Sequence, residues 1–358
     1  AEGMGKLEEV AVAPGADEQL APSSKGERPP PWVHAAIRAG RPYAFKDKRP
    51  LVHNTLNLFA LAFLFGLAGL TGWASTQLSW WAYLPLAALG FGWVFFGLFV
   101  LVVHEASHNM FLIFRNRALQ RRVNRVAGWM VAGLFSTHYG KHWERGHIEH
   151  HIRPMEPSDP QRSVVTGRAL LRKILGYLLV PGYLFYDRTV GRKQKTDGKS
   201  SSSKGVIVLF VVFWATLLTT LGLVVGWPLA AGLYLGIPTV GCFNLVKGSL
   251  EHGGAIGREA SPFLRSRTSL FLLRPLLMPF NITLHFEHHL NFQVPWYDLP
   301  HYQRDLRAIV PEAVQESVFN RHIFEQLSGQ LGGVSAEART AREPIGSRVP
   351  EPAFSKSA

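Results

Sequence analysis

The chain has 358 residues and a formal net charge of +13, a length that suits one large domain or two modest ones. Its single cysteine, Cys242, excludes an internal disulfide and a thiolate metal site. The basic residues flank long charge-free blocks, so they indicate membrane topology rather than nucleic-acid binding, and no nucleic-acid partner is expected.

The first 50 residues are rich in proline, alanine, glycine and charge, with three consecutive prolines from Pro29 to Pro31. This composition predicts a flexible leader over residues 1–50, with an interfacial stretch near residues 32–37. We expect the leader to lie in the cytoplasm.

Two blocks follow in which Asp, Glu, Lys and Arg are absent, residues 51–103 and 205–246. Because an apolar helix crosses a bilayer in about 20 residues, each block is long enough for two crossings joined by a turn. The predicted spans are about 56–74, 80–103, 206–226 and 228–250, forming two hairpins. Basic residues lie at the outer ends of both hairpins and are absent from their turns, which predicts a multi-pass protein with both termini in the cytoplasm.

The segments outside the spans are more polar. Between the hairpins, residues 170–186 form an apolar stretch interrupted by charge, which predicts an amphipathic helix at the membrane interface. A second interrupted stretch, residues 269–282, is expected to be a partly buried interfacial segment. The membrane domain is predicted to span residues 51–305, followed by a cytoplasmic tail over 306–358 that is disordered from about residue 328.

Histidines cluster where the predicted spans reach the cytoplasmic side. The first motif is HEASH at residues 104–108, the second is HIEHH at 147–151, and the third is HFEHH at 285–289. His252 stands alone at the end of the fourth predicted span. Side chains three and four residues apart share a helix face, so the rings of each motif can converge. The candidate metal ligands are His104, His108, His147, His150, His151, His252, His285, His288 and His289.

This constellation points to transition-metal chemistry. Neutral imidazole is a ligand for iron, copper, nickel and zinc, and nine rings exceed what one metal can use, so two metals are expected. The carboxylates expected to orient the rings are Glu105, Glu149, Glu251 and Glu287. A lone histidine is more often a core or surface residue. The histidines expected to lie outside the ligand set are His34, His53, His138, His142, His301 and His322.

The order and spacing of the three motifs resemble the histidine boxes of membrane fatty acid desaturases and related hydroxylases. Trp143, Arg145 and the Asp159-Pro160 pair also resemble the surroundings of that family's second box. The resemblance covers residues 50–305. It implies an all-α membrane domain whose cytoplasmic helical cap holds a two-iron centre, with His252 as the further ligand from the fourth span. One departure is Gly248, where some members carry a polar residue one turn before that histidine.

The resemblance implies an O2-dependent oxidoreductase that introduces a double bond into a long acyl chain. A hydroxylase or ketolase acting on a lipid, carotenoid or alkane is the alternative, because histidine spacing does not separate these reactions. A metal transporter without redox activity is disfavoured, because transport requires ionisable residues within the spans. The sequence contains no HPGG segment or cysteine cluster, so a separate electron donor of the ferredoxin or cytochrome b5 type is expected.

Overall fold

The computed structural model describes residues 29–188 and 204–335. Within these ranges the chain is mostly helical. Its α-helices are α1 Pro31–Ala39, α2 Pro50–Trp73, α3 Trp80–Leu98, α4 Glu105–Ser107, α5 Arg117–Gly133, α6 Gly146–Ile152, α7 Gly167–Leu179, α8 Tyr183–Tyr186, α9 Lys204–Val224, α10 Trp227–His252, α11 Arg274–Leu277, α12 His285–Leu290, α13 Leu299–Ile309, α14 Glu312–Val318 and α15 Ile323–Ser328.

Short elements complete the described chain. Two π-helical turns cover Phe99–His104 and Gly140–Arg145, and two-residue strands β1 (Thr268–Ser269) and β2 (Phe319–Asn320) pair in parallel. The 3₁₀ turns are Arg41–Tyr43, Phe45–Asp47, Ala74–Thr76, Ile256–Arg258 and Pro262–Leu264.

Four helical stretches are long and apolar enough to cross a membrane: Pro50–Thr76, Trp80–Ser107, Lys204–Val224 and Trp227–His252. Each overlaps one predicted span. The second stretch is mostly buried within the protein, whereas the first and third expose most of their apolar side chains. This asymmetry is expected of a bundle in lipid, because outer helices keep apolar residues on the surface that faces hydrocarbon.

Helices α3 and α10 form the centre of the bundle and make its most extensive contact. Their backbones approach closely through Gly92, Gly232 and Gly236. A Cβ atom on Gly236 would lie 2.7 Å from the Cβ of Phe91, and one on Gly232 would lie 2.7 Å from that of Ala87. Small residues spaced four apart commonly pack membrane helices together. Both helices end at the histidine clusters, so they run in the same direction.

The chain before the first span is structured from α1 onward. Trp32, Val33 and Ala36 are completely buried in a second apolar core, where the Trp32 ring lies 6.4 Å from that of Phe286. Residues 31–47 therefore differ from the flexible leader expected from composition, because an apolar stripe on α1 has a partner surface. Residues 1–28 of that expected leader lie outside the described residues.

The polar region after the third motif also folds. Residues 306–335 contribute α14, α15 and β2, and Val334 is buried, with its N–H donating to Glu259 at 2.7 Å. The expectation of disorder from about residue 328 therefore does not describe residues 328–335. The rest of the expected tail, residues 336–358, lies outside the described residues.

Candidate metal centre

The nine candidate histidines form two adjacent groups. The five-histidine group contains His104, His108, His147, His151 and His288, and the four-histidine group contains His150, His252, His285 and His289. Within each group one nitrogen from every ring lies within 4.8 Å of all the others. The groups share a boundary, where the ring centroids of His151 and His289 are 4.4 Å apart. Two histidine clusters that could each bind a metal ion therefore lie side by side.

The second and third motifs each contribute to both groups. In the second motif, His147 and His151 enter the five-histidine group, whereas His150 enters the four-histidine group. The third motif reverses this arrangement: His285 and His289 enter the four-histidine group and His288 the other. In both motifs the first and fifth residues contribute their rings to the same group, whereas the fourth residue contributes its ring to the other group. The two short helices α6 and α12 are thus interleaved through their side chains.

Two π-helical turns precede the histidine motifs. Phe99–His104 follows α3 and ends on the first ligand candidate, and Gly140–Arg145 leads directly into α6. A π turn accommodates an extra residue, which shifts the following side chains by about 100° around the helix axis. Such turns are frequent at functional sites. They set the direction in which His104 and His147 enter the centre.

Hydrogen bonds to Nδ1 orient several rings. The Nδ1–H of His150 donates to Asp159 Oδ2 at 2.8 Å, and that of His147 donates to Gln161 Oε1 at 3.1 Å. The Nδ1–H of His252 donates to the carbonyl of Arg265 at 2.7 Å. Each bond fixes the tautomer in which the lone pair lies on Nε2, directed toward the cluster.

Two of the four expected carboxylates contact the rings. Glu105 Oε1 lies 3.2 Å from Nδ1 of His104, and Glu251 Oε1 lies 3.2 Å from Nδ1 of His285. Glu251 is itself held by the Lys247 ammonium at 2.6 Å.

The other two expected carboxylates have different partners. Glu149 accepts a hydrogen bond from Ser158 and lies 3.8 Å from Arg153, on the outer side of α6. Glu287 accepts from the Thr268 hydroxyl. Sequence reasoning missed Asp159 and Gln161 as ring partners, although the Asp159-Pro160 pair had already been singled out as a family-like feature.

The electrostatics of the centre favour neutral rings. Burial lowers the pKa of His108 to about 3, and the neighbouring His150 contributes in the same direction. Burial, followed by repulsion from other rings, also holds the pKa values of His147, His151, His285, His288 and His289 well below the ordinary value. Neutral imidazoles present lone pairs, the form in which they bind metal.

The donor set fits metal ions. Among the described residues, His108 is buried with no hydrogen-bond partner for either ring nitrogen. Paired Nε2 atoms lie 2.9 Å apart in His104 and His288, and 3.0 Å apart in His252 and His285. Two nitrogens bound at about 2.1 Å and at right angles to one cation are about 3 Å apart. The rings are thus spaced as ligands of common ions.

The remaining histidines with described contacts lie outside both groups. His53 is fully buried and joins α2 to two loops through Tyr297 and the carbonyl of Met110. The ring of His138 packs at a tilt against Trp129, with 4.6 Å between the ring centroids, whereas His301 and His322 are exposed. His142 is buried beside the centre and lines its cavity.

A cavity of about 180 Å³ opens beside the four-histidine group. It reaches His150 and His252, and its apolar lining includes Phe99 and Leu184. Its polar lining includes Lys173 and Lys247, which bind Asp187 at 2.7 Å and Glu251 at 2.6 Å, respectively. Gly248 also lines the cavity. A substrate could therefore approach the cluster from the side of α10.

The chain is similar to a known protein family. The family model described as fatty acid desaturase matches residues 78–318, well over half of the chain, and this range contains all nine histidines of the two groups. No curated protein matches the chain.

Proposed function

Because the chain belongs to the fatty acid desaturase family, we propose that it is an O2-dependent di-iron oxidoreductase that introduces a double bond into a long acyl chain. The observation that carries the proposal is the gathering of nine imidazoles into two adjacent groups at the ends of apolar helices. Family membership and the clusters support a di-metal oxidoreductase in a membrane. We propose in addition that the metal is iron, that O2 is the co-substrate and that the reaction is desaturation.

In this proposal the five-histidine group holds one iron ion and the four-histidine group holds the other. The bound pair would supply oxygen activation and removal of hydrogen from an unactivated C–H bond, using two electrons from a donor. The protein's own residues position the rings: Asp159 fixes His150, Gln161 fixes His147, and the Arg265 carbonyl fixes His252. The burial of these rings keeps water away from the reacting carbon.

The cavity beside the four-histidine group suits a neutral segment of an acyl lipid. Phe99 and Leu184 offer apolar surface next to His150 and His252. Of the three cations that the described residues place in its wall, Lys173 and Lys247 already bind carboxylates and Arg188 donates to the carbonyl of Phe135 at 3.2 Å, which fits a neutral chain better than an anionic head group. Chain position in the cavity would select the bond that reacts, because only carbons held near the centre can react.

We place the metal centre and both termini on the cytoplasmic side of a multi-pass protein. Basic residues at the outer ends of both apolar hairpins support this orientation through the positive-inside rule. Electrons would come from a separate ferredoxin or cytochrome b5-type protein, which a basic face would attract electrostatically.

The test is lipid profiling of a host that makes this protein together with a ferredoxin. His150→Ala removes a ligand of the four-histidine group, and His322→Ala is a matched control because that ring is exposed and belongs to neither group. We expect a product two hydrogens lighter than its precursor with wild type and His322→Ala, and none with His150→Ala.

Two outcomes would revise the proposal. A product that gains one oxygen atom would replace desaturation with hydroxylation, and a product that gains one oxygen atom and loses two hydrogens would replace it with the ketolase reaction. Unchanged lipids in a host whose purified protein carries two metal ions would overturn an acyl-chain substrate altogether.

A further inference from the structure

A second cavity lies away from the histidine groups and is lined by arginines. It has a volume of about 360 Å³ and is formed by the loop before α11, by α13 and by the residue after β2. Its polar lining consists of Arg274, Gln303, Arg307 and Arg321. Three guanidinium groups in one cavity form a site for a phosphate, which arginine binds with several N–H donors.

Two of the donors in this cavity have no hydrogen-bond partner within residues 29–188 and 204–335. Arg274 Nη1 and Gln303 Nε2 are buried, and neither makes a hydrogen bond to another described residue. The acidic charge that acts on Arg274 comes from Glu287, which already accepts a hydrogen bond from Thr268. Because a buried donor without an acceptor costs free energy, these two groups favour binding of an anion that carries acceptor oxygens.

The rim of the cavity is unusually apolar for a surface. Leu272, which lines the cavity, is 93 % exposed, and Leu276 in the adjoining α11 is 65 % exposed. Phe324, which follows Arg321 by three residues in the sequence, is 85 % exposed. Large apolar side chains around a basic cavity suit a ligand with both a phosphate and hydrocarbon chains.

One side of this rim packs against the second candidate span. The indole N–H of Trp93 on α3 donates to the carbonyl of Leu276 at 2.5 Å. Trp93 precedes His104 by 11 residues, so it lies about 16 Å back along the helix from the metal centre, at 1.5 Å per residue. Phe280 also packs against α3 at Gly97. The exposed leucines therefore lie beside a span, where lipid tails would cover them.

We propose that this cavity binds the head-group phosphate of an anionic phospholipid, whose acyl chains lie along Leu272, Leu276 and Phe324. The site is separate from the metal centre and does not depend on the proposed reaction. Arg274 and Gln303 hold the phosphate from the buried side, whereas Arg307 and Arg321 close over it from the exposed side.

The test uses full-length protein in nanodiscs made from equal amounts of phosphatidylglycerol and phosphatidylcholine, with retained lipids identified by native mass spectrometry. We expect the wild type to retain phosphatidylglycerol preferentially. The variant R307Q/R321Q should lower this preference about tenfold or more, because each arginine near the membrane surface contributes to anionic lipid binding. The control R121Q/R122Q removes the same charge from exposed positions on α5 and should retain the wild-type preference.

Three results would overturn the proposal. One is equal retention of the two lipids by the wild type, and another is equal loss of preference in R307Q/R321Q and in R121Q/R122Q. The third is competition by glycerol phosphate as strong as that by phosphatidylglycerol, which would assign the cavity to a soluble anion. Arg307 and Arg321 are exposed, but the Arg307 guanidinium lies 5.2 Å over the ring of Phe319, so an unchanged Tm of the variant is the folding control for the test.

Discussion

Asp159→Asn should selectively weaken the four-histidine group. Asp159 accepts three hydrogen bonds: Nδ1–H of His150 and the backbone N–H of Met155 on Oδ2, both at 2.8 Å, and the backbone N–H of Gln161 on Oδ1 at 2.7 Å. All three partners are donors. An asparagine amide must therefore direct its own N–H₂ group at a donor, so either the bonds from His150 and Met155 or the bond from Gln161 is lost, and the negative charge that faces His150 is lost in both cases.

The magnitude follows from the role of the ring. Removing the partner that orients a metal-bound histidine typically lowers metal affinity about 10- to 100-fold, which corresponds to roughly 1.4–2.8 kcal/mol. Of the nine rings, Asp159 hydrogen-bonds only to that of His150, so the larger effect should fall on the four-histidine group. In a chelator titration followed by elemental analysis, wild type should retain two metal ions over a range in which the variant retains one.

Glu149→Gln is the matched control for this experiment. It makes the same carboxylate-to-amide change two positions from His151, but Glu149 contacts Ser158 and Arg153 and none of the rings. Its metal content should equal that of wild type. If Asp159→Asn releases metal at the same chelator concentration as Glu149→Gln, the orienting role of Asp159 is refuted.

Three further predictions concern stability. Gly236→Leu should destabilise the α3–α10 contact by about 1–3 kcal/mol or prevent folding, whereas Gly69→Leu, where an added Cβ meets nothing within 4 Å, should melt like wild type in detergent. Trp32→Ala should cost about 3–5 kcal/mol of unfolding free energy in a denaturant titration, while Trp81→Ala, 89 % exposed, should cost little; equal effects would contradict the packing described for α1. Removing both metals with a chelator should lower Tm by roughly 10 °C. Each ion at a hundredfold excess over its Kd contributes about 2.7 kcal/mol to the free energy of unfolding. An unchanged Tm would show that the groups hold no metal.

Charge-free length was enough to predict the four apolar helices. A bilayer requires about 20 apolar residues in a helix, and both charge-free blocks are long enough for two. The leader was predicted less well because composition was averaged over 50 residues. Trp32, Val33 and Ala36 form an apolar stripe at helical spacing, and this local pattern, rather than the average, corresponds to the buried face of α1.

Helical spacing predicted which rings could share a face, but not which group each ring enters. His150 lies next to His151 in sequence and yet belongs to the other group. Its destination depends on how α6 faces α12, a long-range arrangement that local periodicity does not contain. Gln161 was missed for a similar reason: the turn that brings it to His147 closes over 14 residues.

The two groups take their rings from different parts of the chain, so they become complete at different times during synthesis. Four rings of the five-histidine group come from residues 104–151, which precede the second hairpin, and only His288 comes from beyond it. The four-histidine group takes only His150 from that early region. A nascent chain whose first half has emerged from the ribosome thus already carries most of the five-histidine group. The other site becomes possible only after the last helical hairpin has entered the lipid.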